Sequence, residues 1–175
     1  MALTTLLSLL TISFAAAQPQ PIKSTLPGAK NVTRVDALLM CGGATTNEAF
    51  PALKKEGFVS VVNLREAHEE GVDIAGSRAA AESAGLRYLH IPVSSKHPDA
   101  AAVDKFLAAV TDKNNQPMYI HCASANRVGA MWMIKRIVVD GWSVQRATDE
   151  ATAIGLSSPG LKQFALDHAT KRRNK

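Results

Sequence analysis

The chain has 175 residues, within the usual range for one domain, and 46% of them are hydrophobic while 20% are charged. This composition excludes a disordered chain and allows a sizeable core. The net charge is +5, but the last five residues hold four of the positive side chains, Lys171, Arg172, Arg173 and Lys175. We therefore interpret residues 171–175 as a solvated basic tail and expect no binding to nucleic acid.

The N-terminus has the pattern of an export signal. Residues 1–17 carry no charged side chain, residues 3–14 form an apolar run, and small residues precede Gln18. The pattern predicts cleavage after Ala17, because an apolar run this short does not span a bilayer, which takes about 20 residues. A buried or anchoring N-terminal helix is the alternative. We expect an exported protein, periplasmic or secreted, that is not bound to the membrane once the signal is cleaved.

Residues 18–30 contain three prolines and are predicted to be a flexible lead-in to a domain at residues 31–170. Apolar or β-branched runs in this domain predict strands at residues 38–41, 59–64, 86–93 and 118–120. Helical patterns are predicted at residues 45–56, 73–84, 98–110 and 127–140, and two more begin at Ser143 and Ser158. Thr45 and Glu48 have capping-box spacing, and Pro98 fits a first helical position.

The alternation of strands and helices predicts an α/β fold. We expect a single three-layer domain with a mainly parallel sheet of about five strands flanked by helices. Three noteworthy segments follow predicted strands, at residues 41–43, 63–65 and 121–127. Ligands in such sheets bind beyond the carboxyl ends of the strands, so these segments are expected to meet in one crevice.

The segment 121–127, His-Cys-Ala-Ser-Ala-Asn-Arg, combines three features that suit attack on phosphorus or sulfur. Cys122 is a candidate nucleophile that leaves a buried strand. The loop N–H groups and the start of the next helix favour an anion, including a thiolate. Arg127 offers a planar fork for an oxyanion. The alternative is a buried structural cysteine beside a solvated Arg127.

This segment resembles the signature loop of the cysteine-dependent phosphatases, especially the dual-specificity-like group. Within that group it is similar to the beta-lactamase-hydrolase-like domain and to the phosphatase-like domain fused to some NAD kinases. The resemblance covers roughly residues 32–166, and residues 59–65 look like the group's valine-rich strand followed by Asn-Leu-Arg. It implies a dual-specificity-phosphatase-like fold, with Cys122 as nucleophile and Arg127 as oxyanion clamp.

The resemblance also implies supporting roles. His121 would support the thiolate through hydrogen bonds, and Ser124 would line the loop. We expect the substrate to be bound by His121, Ala123, Ser124, Ala125, Asn126 and Arg65.

Two departures leave the reaction open. Four residues separate Cys122 from Arg127, where phosphatases have five, and Val128 stands where they usually have Ser or Thr. A loop of this length is similar to that of rhodanese-type sulfurtransferases, which carry a persulfide.

The sequence also lacks an aspartate at the position where the related phosphatases have their general acid. Ser94 or Ser95 stands where the relatives have an aspartate, so Asp99 is the nearest carboxylate and His97 is another candidate donor. Asp99 could equally stabilise a helix N-terminus. The glutamates at 66, 69 and 70 follow Arg65 and are interpreted as a solvated acidic loop, with an approach to the site as the alternative.

Cys41 is predicted to end beside Cys122, where it could form a disulfide or resolve an oxidised sulfur; a buried small residue is the alternative. The histidines show no metal-ligand spacing with the cysteines, and no Gly-rich nucleotide loop is present. We expect neither metal nor cofactor.

The first functional hypothesis is hydrolysis of phosphomonoesters through a cysteinyl-phosphate intermediate, with a phosphorylated small molecule or peptide as substrate. The alternatives are a sulfurtransferase that carries a persulfide on Cys122 and a non-catalytic oxyanion-binding module.

Overall fold

The computed structural model describes residues 20–173. The predicted export signal and its cleavage site lie outside the described residues. Within this range six strands form one sheet: β1 (Ile22–Lys23), β2 (Thr33–Arg34), β3 (Leu39–Gly42), β4 (Ser60–Asn63), β5 (Arg87–His90) and β6 (Met118–His121). The same range contains six α-helices: α1 (Ala49–Lys55), α2 (Ile74–Ser83), α3 (Ala100–Thr111), α4 (Asn126–Val138), α5 (Val144–Ile154) and α6 (Pro159–Arg173).

The strand order across the sheet is β1-β2-β3-β6-β4-β5. Strands β3, β6, β4 and β5 run parallel, whereas β1 and β2 extend the β3 edge in antiparallel pairing. The predicted α/β class is confirmed, with a mixed sheet of six strands. The two antiparallel strands have two residues each, too few for a hydrophobic pattern to reveal them.

The helices cover both faces of the sheet because successive strand residues point to opposite sides. Met40, Val61 and Tyr119 pack in one core cluster with α1 and α2. Cys41 and Ile120 pack in a second cluster with the helices α3 to α6. This is the predicted three-layer arrangement. No helix within residues 20–173 is long and apolar enough to cross a membrane.

Two predicted helix starts are wrong in detail. Thr45 does not cap α1, because its hydroxyl donates to the Gly43 carbonyl at 3.0 Å and bonds the Tyr119 hydroxyl at 2.8 Å. Pro98 precedes α3 rather than beginning it, because the Asp99 side chain is the N-cap. The predicted helix starts at Ser143 and Ser158 are confirmed, since each hydroxyl accepts an N–H from the residue three positions later.

The carboxyl ends of three parallel strands are in register at one edge of the sheet. Gly42 of β3 and Asn63 of β4 both align with His121 of β6. The Cys122 N–H donates to the Gly42 carbonyl at 3.3 Å, and the Leu64 N–H donates to the His121 carbonyl at 2.9 Å. The three segments expected to meet in one crevice therefore lie side by side.

We expect Gly129→Ala to destabilise the protein by about 1–3 kcal/mol, because α4 and α5 meet at this residue. A Cβ at Gly129 would lie 2.8 Å from the Ala151 carbonyl oxygen and 2.9 Å from Leu156 Cβ. The free energy of unfolding in urea measures the effect.

Gly160→Ala is the matched control, because the nearest atom to its Cβ would be Ser158 Oγ at 4.0 Å. Gly160 is an exposed position of α6, where alanine should stabilise the helix by up to about 1 kcal/mol. Equal stability of the two variants would contradict the close approach of α4 and α5.

Candidate active site

The Cys122 loop connects β6 to α4. Cys122 is only 1% exposed, so its thiol lies at the bottom of the loop. Ala125 is the N-cap of α4 and adopts a left-handed conformation with φ of 73°. This conformation costs a non-glycine residue about 1–2 kcal/mol, and the surrounding contacts must sustain it.

Two hydrogen bonds hold the loop carbonyls outwards. The Ala123 carbonyl accepts the Ala44 N–H at 2.8 Å, and the Ser124 carbonyl accepts Asn31 Nδ2–H at 3.0 Å. In a trans peptide unit the C=O and the following N–H point in opposite directions. The N–H groups of Ser124 and Ala125 therefore point away from these anchors, towards the interior of the loop.

These amides and the start of α4 form an oxyanion cradle, which we define as the N–H groups of residues 124–127. The first N–H groups of a helix have no intrahelical acceptor, and the helix dipole favours an anion in front of them. Of the cradle groups, the N–H groups of Ser124 and Ala125 donate to no backbone carbonyl within residues 20–173. The Asn126 side chain clamps the rim, since its Oδ1 accepts the N–H groups of Ser157 at 2.7 Å and Ser158 at 2.8 Å.

The Arg127 guanidinium binds the protein along one edge and leaves the other edge available. Nη1 donates to Glu69 Oε1 at 2.5 Å and to the carbonyls of Val93 at 3.0 Å and Leu64 at 3.3 Å. Nη2 donates once, to Glu69 Oε2 at 2.9 Å. Nε–H and the second Nη2–H have no oxygen acceptor among the described residues, and the Arg127 side chain lies within hydrogen-bonding range of the Cys122 thiol. Together these two N–H groups form a fork that matches two oxygens of a tetrahedral oxyanion.

Glu69 is the counterion that fixes this arginine. Its carboxylate also accepts the Glu66 N–H at 2.7 Å and Arg65 Nε–H at 3.0 Å. Burial tends to raise the pKa of Glu69, but the hydrogen bonds from Arg127, Glu66 and Arg65 outweigh it and lower the pKa to about 2. Burial tends to lower the pKa of Arg127, but the hydrogen bond to Glu69 and the charges of Cys122 and Glu69 together outweigh burial and raise the pKa. Both groups are charged near neutral pH.

His121 faces the opposite side of the sheet from Cys122 and stacks on Tyr119, with ring centroids 5.9 Å apart. It is 3% exposed, and neither ring nitrogen has a hydrogen-bond partner within the described part of the chain. Burial and the nearby charge of Arg65 lower the pKa of His121 to about 3, so the ring is neutral at pH 7. The expected support of the thiolate by His121 through hydrogen bonds stays a prediction.

Two other predicted site residues, Arg65 and Asp99, form hydrogen bonds with near neighbours in the chain. Arg65 Nε–H donates to the Glu69 carboxylate and so helps to fix the counterion of Arg127. Its Nη2 donates to the Glu70 carbonyl at 2.7 Å. Asp99 is exposed, and its Oδ1 accepts the Ala102 N–H at 2.8 Å as the cap of α3.

Cys41 and Cys122 are both buried free thiols. Cys41 aligns with Ile120, two residues before Cys122, which places the two Cα atoms about 8 Å apart by strand spacing and rise. A disulfide needs about 7 Å or less, so a direct bond would require displacement of the backbone. The Cys41 thiol instead donates to the Thr33 carbonyl at 3.6 Å, and burial raises its pKa.

Sequence reasoning missed two residues that organise the site. Glu69 was interpreted as solvated, although the spacing Arg65-x-x-x-Glu69 hinted at an ion pair. Asn31 had no signal, because it lies 93 residues from the carbonyl that it binds. Within residues 20–173 no three of the His, Cys, Asp and Glu side chains lie together in a way that could hold a metal ion.

A cysteine and an arginine that share one oxyanion cradle at the end of a parallel strand are typical of the cysteine-dependent phosphatases. The family model described as DSP-PTPase phosphatase fused to NAD+ Kinase matches residues 15–168. The chain therefore belongs to this family.

Among curated proteins the chain is 28% identical over 119 residues to a beta-lactamase hydrolase-like protein of Agrobacterium fabrum (strain C58 / ATCC 33970). The match covers 67% of this chain but only 27% of that longer protein.

Solved structures show the same fold. A DUF442 phosphatase of Shewanella putrefaciens CN-32 superposes with a TM-score of 0.70 at 20% identity, over 83% of this chain and 95% of that one. TpbA of P. aeruginosa gives 0.66 at 23% identity, over 87% and 91%. The core catalytic domain of the PP-IP phosphatase SIW14 of S. cerevisiae, in complex with citrate, gives 0.65 at 18% identity, over 86% and 94%.

We expect Glu69→Gln to destabilise the protein at pH 7 by about 3 kcal/mol, because it leaves a buried arginine without its counterion. The pKa of Glu69 is lowered, so its stabilising charge is complete above its ordinary pKa of 4.5 and is lost as the pH falls towards about 2. The stability difference between wild type and variant should shrink across that window. Urea unfolding at a series of pH values between 7 and 2 measures it.

Glu70→Gln is the matched control, because the neighbouring Glu70 carboxylate forms no ion pair with a described residue. It should change stability by less than about 0.5 kcal/mol at each pH. A pH-independent loss in Glu69→Gln would show that shape rather than charge is what Arg127 requires.

Proposed function

We propose that the protein hydrolyses phosphomonoesters through a cysteinyl-phosphate intermediate on Cys122. The observation that carries this proposal is the position of the Arg127 guanidinium, which lies within hydrogen-bonding range of the Cys122 thiol while Glu69 binds its other edge. The amides of residues 124–127 and the Arg127 fork together offer donors to the nonbridging oxygens of a phosphoryl group. Family membership supports the same activity.

In the first step the Cys122 thiolate attacks phosphorus, the S–P bond forms, and the P–O bond to the leaving group breaks. The leaving oxygen takes the electron pair and receives a proton from a general acid. In the second step water attacks phosphorus, its proton passes to a base, and the S–P bond breaks to return the thiolate and release phosphate. The Arg127 fork and the amides stabilise the charge of the equatorial oxygens in both steps.

The natural substrate is proposed to be a phosphorylated small molecule or peptide. Two structural relatives support this class: one structure of TpbA of P. aeruginosa is a complex with pTyr, and the yeast relative is a PP-IP phosphatase. Their sequence identities to this chain are 20% and 18%. At this level they support a phosphorylated substrate in general and do not favour one particular substrate.

Cys122→Ser should abolish release of phosphate from p-nitrophenyl phosphate, by at least about 10³-fold in kcat, because the nucleophile is lost. Wild-type protein quenched during turnover should carry a phosphate adduct on Cys122, detectable by mass spectrometry. Cys41→Ala is the control, since Cys41 lies in β3 outside the cradle and this variant should keep the activity. Undiminished hydrolysis by Cys122→Ser would sink the proposal.

Asp99 is proposed as the general acid, and Asp99→Asn isolates that role because asparagine caps a helix as well as aspartate. If Asp99 donates the proton, kcat for an alkyl phosphate should fall by about 10²-fold or more, while kcat for p-nitrophenyl phosphate changes little. An unchanged rate on the alkyl phosphate at every pH would leave Asp99 with capping alone.

Sulfur transfer is the second candidate, favoured by the spacing of four residues between Cys122 and Arg127. The Cys122 thiolate would take the outer sulfur of thiosulfate, form a persulfide and release sulfite. Mass spectrometry after exposure to thiosulfate tests this directly. A persulfide on Cys122 without phosphate release from phosphomonoesters would replace the first proposal by the second.

We also propose that the protein is exported, on the support of the uncharged apolar run at residues 3–14 and the small residues before Gln18. Expression in a bacterial host followed by N-terminal sequencing of the periplasmic or secreted fraction tests it. A mature chain that begins at Gln18 would establish cleavage after Ala17, and an intact Met1 in the cytoplasmic fraction would contradict export.

A further inference from the structure

Asn31 reaches the Cys122 loop from the opposite end of the sequence. It lies in the turn between β1 and β2 with φ of 50°, a left-handed conformation that asparagine tolerates better than most residues. Its Nδ2–H donates to the Ser124 carbonyl at 3.0 Å. Among the described residues this is the one side chain that hydrogen-bonds the carbonyl of Ser124.

Lys23 fixes the orientation of the Asn31 amide. Its Nζ donates to Asn31 Oδ1 at 2.8 Å, to Thr33 Oγ1 at 3.0 Å and to the Ile154 carbonyl at 3.5 Å. An ammonium group has only donors, so the amide oxygen must face Lys23 and the NH₂ group must face Ser124. The charge of Lys23 also polarises the chain of hydrogen bonds that ends at the Ser124–Ala125 peptide unit.

The Asn31 amide and Ala125 both lie close to Gly155, where a larger residue would not fit. A Cβ at Gly155 would lie 2.9 Å from Asn31 Nδ2 and 3.0 Å from Ala125 Cβ. Gly155 has φ of 142°, so side chains are disfavoured there on conformational grounds as well. Glycine at position 155 therefore leaves the space that the Asn31 amide occupies beside Ala125.

We infer that Asn31 is a positioning residue that aims the Ala125 N–H into the oxyanion cradle, with Lys23 holding and polarising its amide. The peptide that carries the Ala125 N–H can rotate if its carbonyl loses this anchor, and the cradle then loses one inward donor. The inference rests on the proposed function only in that the cradle binds a phosphoryl group.

Asn31→Asp and Asn31→Gly test the inference by two different losses. The aspartate keeps the size and the contact with Lys23 but presents an oxygen to the Ser124 carbonyl. The glycine removes the side chain and accepts the positive φ. Each should weaken the binding of inorganic phosphate and of tungstate by about tenfold, as expected for one hydrogen bond to a charged ligand. Isothermal titration calorimetry on the full chain measures the Kd of both ions.

Asn47→Asp is the matched control for charge, because Asn47 is exposed and its side chain forms no hydrogen bond with a described residue. It should leave the Kd for phosphate within about twofold of wild type. Lys23→Met should weaken phosphate binding less than Asn31→Asp does, since the Asn31 amide remains.

Thermal unfolding of each variant separates positioning from stability. If Asn31→Asp and Asn31→Gly melt earlier but bind phosphate as tightly as wild type, Asn31 is structural only and the inference is wrong. If wild type binds phosphate without hydrolysing phosphomonoesters, the proposed function fails while a tenfold loss in the variants still supports the inference. If wild type hydrolyses phosphomonoesters and both variants match it in Kd and kcat, the inference alone fails. Failure of wild type to bind either ion overturns both.

Discussion

The ion pair between Arg127 and Glu69 joins the parts of the molecule that must meet at the site. Arg127 enters from α4, Glu69 from the segment after β4, and the carbonyls of Leu64 and Val93 follow β4 and β5. Arg127 is 3% exposed, and a charge buried to this extent would be costly without a counterion and acceptors, so these segments must close around it. One edge of the Arg127 guanidinium holds these segments together, and its other edge can bind a ligand.

The parallel part of the sheet and the meeting of three segments at its edge could be predicted from the sequence. Residues 59–64 and 118–120 are apolar runs of strand length, and parallel strands place their carboxyl ends together. The proposed roles of Cys122 and Arg127 followed from their place in the short loop between a strand and a helix. These inferences depend on local patterns and on one rule of topology.

The remaining features depend on contacts between distant residues, which local patterns do not encode. Glu69 lies in an irregular loop, where no periodicity distinguishes a solvated carboxylate from one that accepts four hydrogen bonds. Thr45 has the spacing of a helix cap, yet its hydroxyl binds Tyr119 and Gly43 because the loop after β3 turns towards the sheet. The hydrogen-bond partners of Asn31 and Arg65 could not be predicted either, because these contacts also leave no local pattern in the sequence.

The pairing of Arg127 with Glu69 has a consequence for how ligands arrive. The charges of Arg127 and Glu69 cancel at a distance, and Arg65, which shares the Glu69 carboxylate, leaves the group with a single net positive charge. The backbone amides of the cradle act as dipoles, whose attraction falls off faster than that of a full charge. Final capture of an anion in the cradle is therefore a short-range event, governed by contact geometry, and salt should act on the approach of the anion through that single charge.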